Sequence, residues 1–319
     1  MTTLATPQAP QSPPSTQARQ PHVSPDRARK RWFARHGTPY LLSLAGGAWL
    51  ILLFVIPLIS GLVVSLETGN PDDGYQFTWN WSIYRDLFVN SDVPYLTFLL
   101  RSLAYGAAAT ILTILIGYPV AYWIAFRVNP RWKNTLLLLV LISFLVSFVI
   151  RTDMWAFLLA DQGPVLTVLL DLHLVSKDFH ILGTPGAVIG GIVYNDLAFM
   201  VLPIYVALER IDPRLLEASS DLYANRREVF VRTVLPLSRA GIFAGVLLVF
   251  IDAVGDPVNA SLLGGTHTYM IGQAIQDAYL TNQQYNVAAA LSTVLMVVLG
   301  IILFAYARIA GTDNIEDLI

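Results

Sequence analysis

Apolar residues gather along this chain in long runs rather than in short amphipathic stripes. Six runs stand out, at 40–66, 98–126, 135–159, 187–208, 240–263 and 287–307. Each is near or above the roughly 20 residues that a helix needs to cross the hydrocarbon core of a bilayer. Neither a period of two nor a heptad repeat competes with them, so the pattern predicts an all-α polytopic membrane protein with six transmembrane helices. The fourth and fifth runs contain acids and glycines and resemble spans less strongly when taken alone.

Charge gives the runs a direction. Cytoplasmic connections carry an excess of Lys and Arg. Of the 20 Lys and Arg residues, the tail 1–39 holds Arg19, Arg27, Arg29, Lys30, Arg31 and Arg35. The connection after the second run holds Arg127, Arg131 and Lys133. The connection after the fourth holds Arg210, Arg214, Arg226, Arg227, Arg232 and Arg239, and Arg308 closes the last run. Arg85, Arg101 and Lys177 fall on the opposite side, and Arg151 lies inside the third run. This predicts both termini in the cytoplasm and outward loops at 67–97, 160–186 and 264–286.

Composition agrees with a membrane protein. The chain has 319 residues, 55% hydrophobic and only 13% charged, with a mean hydropathy of +0.57; soluble domains carry about 25% charge. The net charge of −2 gives no sign of a nucleic-acid partner. The absence of cysteine excludes disulfides, iron–sulfur sites, a thiol nucleophile and cysteine-ligated zinc. The only lysines are Lys30, Lys133 and Lys177, and none follows a glycine, so no phosphate-cradling loop is present. There is no His-Glu-x-x-His motif. These absences predict no metal site, no cofactor and no catalytic constellation.

Three segments follow from these boundaries. Residues 1–39 begin with six prolines in the first 25 residues among Ser, Thr and Gln, a composition expected to be disordered, and become basic towards their end. Residues 40–310 form the transmembrane domain, with a cytoplasmic loop at 209–239. Residues 311–319 form a short cytoplasmic tail. The first apolar run is too long for a signal-peptide core and reads as a retained helix.

The loop 209–239 has internal order. Asp212-Pro213 reads as an N-cap followed by proline at the first helical position. Leu215, Leu216 and Leu222, then Phe230, Val231, Val234 and Leu235, supply apolar faces for two short amphipathic helices. Tyr223-Ala224-Asn225 would turn between them, and Pro236 would end the second. On its own the pattern is also that of an amphipathic hairpin lying at the membrane interface.

Here the chain resembles a known family. Glu217-Ala218-Ser219-Ser220-Asp221-Leu222-Tyr223-Ala224, followed by Phe230-Val231-Arg232-Thr233-Val234-Leu235-Pro236-Leu237, is similar to the EAA signature of permease subunits of ABC importers, the binding-protein-dependent (MetI-like) family. Phe77-Thr78-Trp79-Asn80-Trp81-Ser82-Ile83-Tyr84, Arg101-Ser102-Leu103, Gly117-Tyr118-Pro119-Val120-Ala121, Ile150-Arg151-Thr152 with Trp155, and Leu262-Leu263-Gly264-Gly265 resemble its spermidine/putrescine branch. The resemblance covers about residues 40–310. It implies a type I ABC importer permease fold in a bacterial cytoplasmic membrane. It also implies ATPase subunits that carry ATP and Mg, a second permease subunit, an extracytoplasmic binding protein and a polyamine-like substrate.

Under the same resemblance Glu217, Ala218, Ser219, Asp221, Tyr223, Asn225, Arg232 and Pro236 would form the coupling element against the ATPase. The sequence departs from the signature at Tyr223, where glycine is usual, and at Ser219, where alanine is usual. Glycine permits a left-handed backbone at the turn, which costs Tyr223 a steric penalty; Asn225 is then the expected left-handed residue.

Candidate substrate chemistry lies in the spans. Asp196 falls near the middle of the fourth run, Asp252 and Asp256 in the fifth, and Asp153 in the outer half of the third. A mid-membrane aspartate costs about 2.5–3.5 kcal/mol on insertion scales, so such residues pair, protonate or line a wet path. Asp252, Asp256 and Asn259 share a face if the fifth run is one helix, and Gly255 and Pro257 are placed to interrupt it, as in broken helices at transport sites. Trp155, Tyr194 and Tyr205 offer aromatic faces to ammonium groups. The alternative is scaffold: Arg151, read here as structural, would pair with Asp196 or Asp252. In the resembling branch positions 153, 196 and 252 are commonly Tyr, Pro or Glu, so the aspartates are departures that fit a cation. Gly186, Gly190, Gly191, Gly241 and Gly245 have the spacing of close helix packing.

The expected function is therefore alternating access driven by separate ATPases. Three other readings remain: an importer of another small solute, an ion-coupled carrier using the intramembrane acids as a relay, and an intramembrane enzyme, which the absent constellations disfavour.

Overall fold

The computed structural model describes residues 46–310 except 71, 177 and 224. The tails 1–39 and 311–319, the start of the first run at 40–45, and Lys177 lie outside the described residues. The chain divides at Leu58 and Ile59 into two units. The described part of the first unit, 46–58, belongs to the apolar helix α1, Gly46–Ser65.

The described residues of the second unit are mostly helical and include one hairpin of two antiparallel strands, β1 (Glu67–Asn70) and β2 (Gly74–Phe77), with Glu67 opposite Phe77. This hairpin, absent from the all-α expectation, falls in the loop after the first run. Gly74 has φ +83 at its turn, a conformation that a side chain would strain. Besides short helical turns at Ser82–Arg85, Asp86–Asn90 and Asp277–Thr281, the further helices are α2 (Tyr95–Phe126), α3 (Pro130–Leu145), α4 (Phe148–Leu159), α5 (Pro164–Asp171), α6 (Pro185–Glu209), α7 (Pro213–Tyr223), α8 (Arg226–Leu237), α9 (Arg239–Gly255), α10 (Val258–Leu263), α11 (Ile271–Gln276) and α12 (Tyr285–Ala310).

Several starts follow sequence rules. Asn129 accepts a hydrogen bond from the Arg131 amide at 3.1 Å ahead of Pro130, and Thr184 accepts from the Ala187 amide at 3.3 Å ahead of Pro185.

Among the described residues five helices are long and apolar enough to cross a membrane, or six when the bent pair α8–α9 counts as one span. Two runs need correction. The third is not one helix over 135–159: Val146 and Ser147 are extended, which separates α3 from α4, and the span of sufficient length is Phe148–Asp171. The fifth is not one helix over 240–263: Asp256 leaves helical geometry at ψ 114 and Pro257 cannot donate to the preceding turn. Gly255 and Pro257 do flank the interruption, as the sequence suggested.

The centre of the second unit is α6 packed against α2 and α9. In its most apolar stretch α6 is 61% buried, against 33% for α2. Ala121 and Ile124 of α2, Met200, Ile204 and Leu208 of α6 and Val249 of α9 form its inner core. Ile111, Leu115, Leu145, Phe157, Ile301 and Phe304 point outward and are exposed, an arrangement that suits a hydrocarbon solvent.

Glycine makes the α6–α9 contact close. A Cβ on Gly241 would stand 2.6 Å from the Ala207 Cβ and the Pro203 carbonyl, and one on Gly245 2.7 Å from the Met200 sulfur. Gly191 is equally tight against Leu263 of α10, whereas a Cβ on Gly186 meets only Thr184 at 3.7 Å and Gly190 faces open space. The predicted small-residue packing thus holds at Gly191, Gly241 and Gly245 and fails at Gly186 and Gly190. Gly241→Val should lower stability by about 1–3 kcal/mol through overpacking, with Gly190→Ala within error of the parent. Thermal unfolding in detergent checks this; equal melting of the two variants would contradict the packing.

Candidate functional site

Two regions gather the chemistry-bearing residues. The first lies at the break between α9 and α10, where α4 and α6 meet it. Asp256 is buried, and its Oδ1 accepts from the amides of Val258 at 2.8 Å and Asn259 at 3.1 Å, while Oδ2 accepts from Asn259 Nδ2. The carboxylate that ends one helix therefore caps the next. This replaces the shared face of Asp252, Asp256 and Asn259 expected of a continuous helix.

Asn259 Oδ1 in turn accepts from Asn195 Nδ2 at 3.2 Å, and that amide also donates to Thr152 Oγ1 at 2.9 Å. A buried polar chain thus runs from α10 through α6 to α4. The sequence reading missed Asn195 and Thr152. Their signal was available: Asn195 stands beside Asp196 in an otherwise apolar run.

Asp196 is 2% exposed, and its Oδ2 has no hydrogen-bond partner. Asp252, Asp256 and Arg151 are its electrostatic neighbours. Asp252 is exposed and lines a cleft of about 240 Å³ with Phe148, Ile251, Gly255, Asp256 and Pro257. Asp153 is also exposed and makes no ion pair among the described residues. Trp155 and Tyr194 stack at 5.3 Å, and the Trp155 Nε1 is buried without a partner. Tyr205 does not join them. It is buried in the inner core and donates to Glu209 Oε1 at 2.5 Å.

Arg151 does not make the pairing with Asp196 or Asp252 that its sequence position suggested. It is 8% exposed, forms no ion pair with Asp153, Asp196 or Asp252, and its Nε has no partner. Its guanidinium lies over the rings of Phe144, at 5.8 Å, and Phe148, at 5.9 Å, and faces two clefts of about 310 and 280 Å³ that also include Ser143 and Tyr194. Among the described residues no three His, Cys, Asp or Glu side chains gather as metal ligands.

The second region is the loop 209–239. Asp212 Oδ1 accepts from the Arg214 amide at 2.9 Å and α7 begins at Pro213, as the sequence indicated. Tyr223 remains helical, and Ala224 lies outside the described residues. Asn225 is extended, at φ −120 and ψ 124, and caps α8 by accepting from the Arg227 amide at 3.1 Å. The expected left-handed Asn225 is therefore incorrect: capping decides its conformation.

Glu217, Ala218, Asp221 and Leu222 are exposed on α7, whereas Ser219 is buried. Ser219 Oγ donates to the Leu215 carbonyl at 2.6 Å and accepts from Thr233 Oγ1 at 3.1 Å. The serine in place of alanine thus ties α7 to α8. Arg232 is exposed and Pro236 half-buried. At Ser238 the chain bends by 64° into α9. The bend is held to α2: Ser238 Oγ and Tyr118 Oη are 3.0 Å apart, and Phe230 packs edge-on against Tyr118 and Tyr122.

Residues 117–311 match the model of the family described as the binding-protein-dependent transport system inner membrane component. The chain belongs to this family of permeases. The permease is 37% identical over 261 residues to the spermidine/putrescine transport system permease protein PotB of Haemophilus influenzae, covering 82% of this chain and 90% of that one. It is 33% identical over 266 residues to PotB of Escherichia coli K12, covering 83% and 95%.

Among solved structures, a bacterial ABC transporter that imports alginate aligns at TM-score 0.69 and 18% identity, over 90% of this chain and 99% of that one. The MetNI methionine ABC transporter aligns at TM-score 0.54 and 19% identity, over 67% and 94%. These two establish the fold of a type I importer permease. The protein is thus a multi-pass inner-membrane component of an ABC importer.

In the permease, Asn195→Leu should cost about 1–3 kcal/mol by leaving the Thr152 hydroxyl and Asn259 Oδ1 without their shared donor. Thermal unfolding of the purified protein measures it, and a parent-like midpoint would contradict the buried polar chain.

Proposed function

We propose that this permease passes a small polyamine-like cation across the membrane, by way of Asp196, Asp252 and Asp256, with Asn259, Trp155 and Tyr194 along the same route. Asp153 flanks it on α4. The observation that carries the reading is the meeting of three carboxyls at a broken membrane helix, with an Asp196 oxygen buried and unpartnered. Carboxylates inside a membrane repel one another and lack water, so a cation that enters between them relieves both costs. The sequence identity to permeases of spermidine/putrescine systems supports the same class of substrate.

The chain itself performs no covalent chemistry and holds no cofactor. ATP and Mg belong to cytoplasmic ATPase subunits, a second permease subunit completes the pathway, and an extracytoplasmic binding protein delivers substrate. The charge bias of the loops supports cytoplasmic termini with α7 on the ATPase side. Glu217, Ala218 and Asp221, exposed on α7, form the docking face, with Tyr223, Asn225, Arg232 and Pro236 shaping and supporting it. The Ser219–Thr233 bond and the Tyr118–Ser238 contact carry motion of that hairpin to α9 and α2. Transport is alternating access, in which the substrate and the ATPases favour different states.

In the assembled complex with its binding protein, spermidine or putrescine should stimulate ATP hydrolysis. Asp252→Asn should cut amine uptake about tenfold or more, the scale of one lost charge contact in a poorly solvated site, while the complex still purifies intact; unaltered uptake would remove Asp252 from the route.

Glu217→Ala should weaken co-purification of the ATPase subunits with no loss of membrane insertion. Normal assembly together with normal transport in that variant would count against α7 as the docking helix.

A further inference from the structure

Arg151 is a buried cation within a site whose other charges are acids. Its surroundings are unusual for a structural arginine. Among the described residues it makes no ion pair and its Nε lacks a partner, and its positive charge rests on two aromatic faces. Phe148, one of those two rings, also lines the cleft of Asp252 and Asp256. Tyr194, which shares both Arg151 clefts, directly precedes Asn195 and Asp196 on α6. Phe148 is thus shared by the guanidinium and the cleft of the two carboxylates, and Arg151 acts electrostatically on Asp196. Val146 and Ser147, extended ahead of α4, let Phe144 of α3 and Phe148 of α4 approach the same guanidinium.

Resting on the cation-transport reading above, we infer that Arg151 is a specificity-determining residue that sets the number of positive charges the route accepts. It acts as a fixed cation that offsets part of the acid cluster. An entering amine meets Asp196, Asp252 and Asp256 less one charge, and each additional ammonium feels repulsion from Arg151 in a medium that screens poorly. A diamine avoids that repulsion more easily than a triamine. The aromatic faces hold the guanidinium without neutralising it, which an ion pair would do. Arginine suits this task because it cannot shed its proton when buried.

The test is competitive uptake of spermidine against putrescine by the complete complex with its binding protein. Arg151→Gln should raise the spermidine-to-putrescine ratio roughly fivefold, the scale of one unit charge removed beside a site of intermediate effective dielectric. Arg151→Lys, which keeps the charge, should hold the ratio near that of the parent. Asp252→Asn should move the ratio the other way, and if Arg151→Gln does not assemble, Arg151→Met, which keeps the aliphatic stem without the charge, replaces it with the same expected rise. An unchanged ratio in Arg151→Gln, an equal shift in Arg151→Lys, or an unchanged or higher ratio in Asp252→Asn would each overturn the inference while leaving amine transport standing. A parent complex that moves neither amine would overturn the transport reading and this inference with it.

Discussion

A polar group in hydrocarbon must find a partner inside the protein, because no water is there to supply one. That constraint explains the least regular part of this permease. Interrupting α9 at Asp256-Pro257 frees backbone amides within a membrane-spanning segment. Asp256 takes up two of them at once and binds the Asn259 side chain as well. Asn259 passes the hydrogen bonding to Asn195, and Asn195 passes it to Thr152. The break is therefore held on three sides by α4, α6 and α10. Once that chain is satisfied, Asp196, Asp252 and Arg151 are left over, ionisable side chains that form no ion pair among the described residues. Groups left in that condition inside a membrane are the ones available to a permeant ion.

The same economy of contacts links the two ends of the molecule. α6 is the most buried of the spanning helices, and its neighbours approach through glycines at Gly241, Gly245 and Gly191. It carries Asn195 and Asp196 at one level and Met200, Ile204 and Leu208 of the inner core at the next. The loop hairpin meets that inner core through Phe230 and Val234 and is pinned to α2 by Tyr118 and Ser238. A rotation of α7 and α8 therefore has a packed route to α9, whose far end is the Asp256 break. Packed helices shift between discrete arrangements rather than deform continuously, which suits a gate driven from one side.

Much of this was legible in the residues. Long apolar runs and charge bias identified a polytopic protein, because a bilayer demands about 20 apolar residues per helix and tolerates few exceptions. The Asp212-Pro213 start of α7 was readable because capping is local chemistry. What escaped was what depends on tertiary partners. The break at Val146-Ser147 has no glycine or proline to announce it. Asn225 reads as a left-handed residue until its capping of α8 is seen. Tyr205 offers an aromatic face in sequence, yet in space it fills the inner core. Arg151 invites pairing with an acid, yet it lies against Phe144 and Phe148. Each miss concerns which neighbour a side chain chooses, and hydropathy carries no record of that choice.

The account rests on a gate that does not move solute by itself. Purified alone into liposomes, under a proton or sodium gradient, the chain should transport no amine. Adding the ATPase subunits, the second permease subunit and the loaded binding protein should establish ATP-dependent uptake. Gradient-driven amine accumulation by the isolated chain would contradict the account at its base.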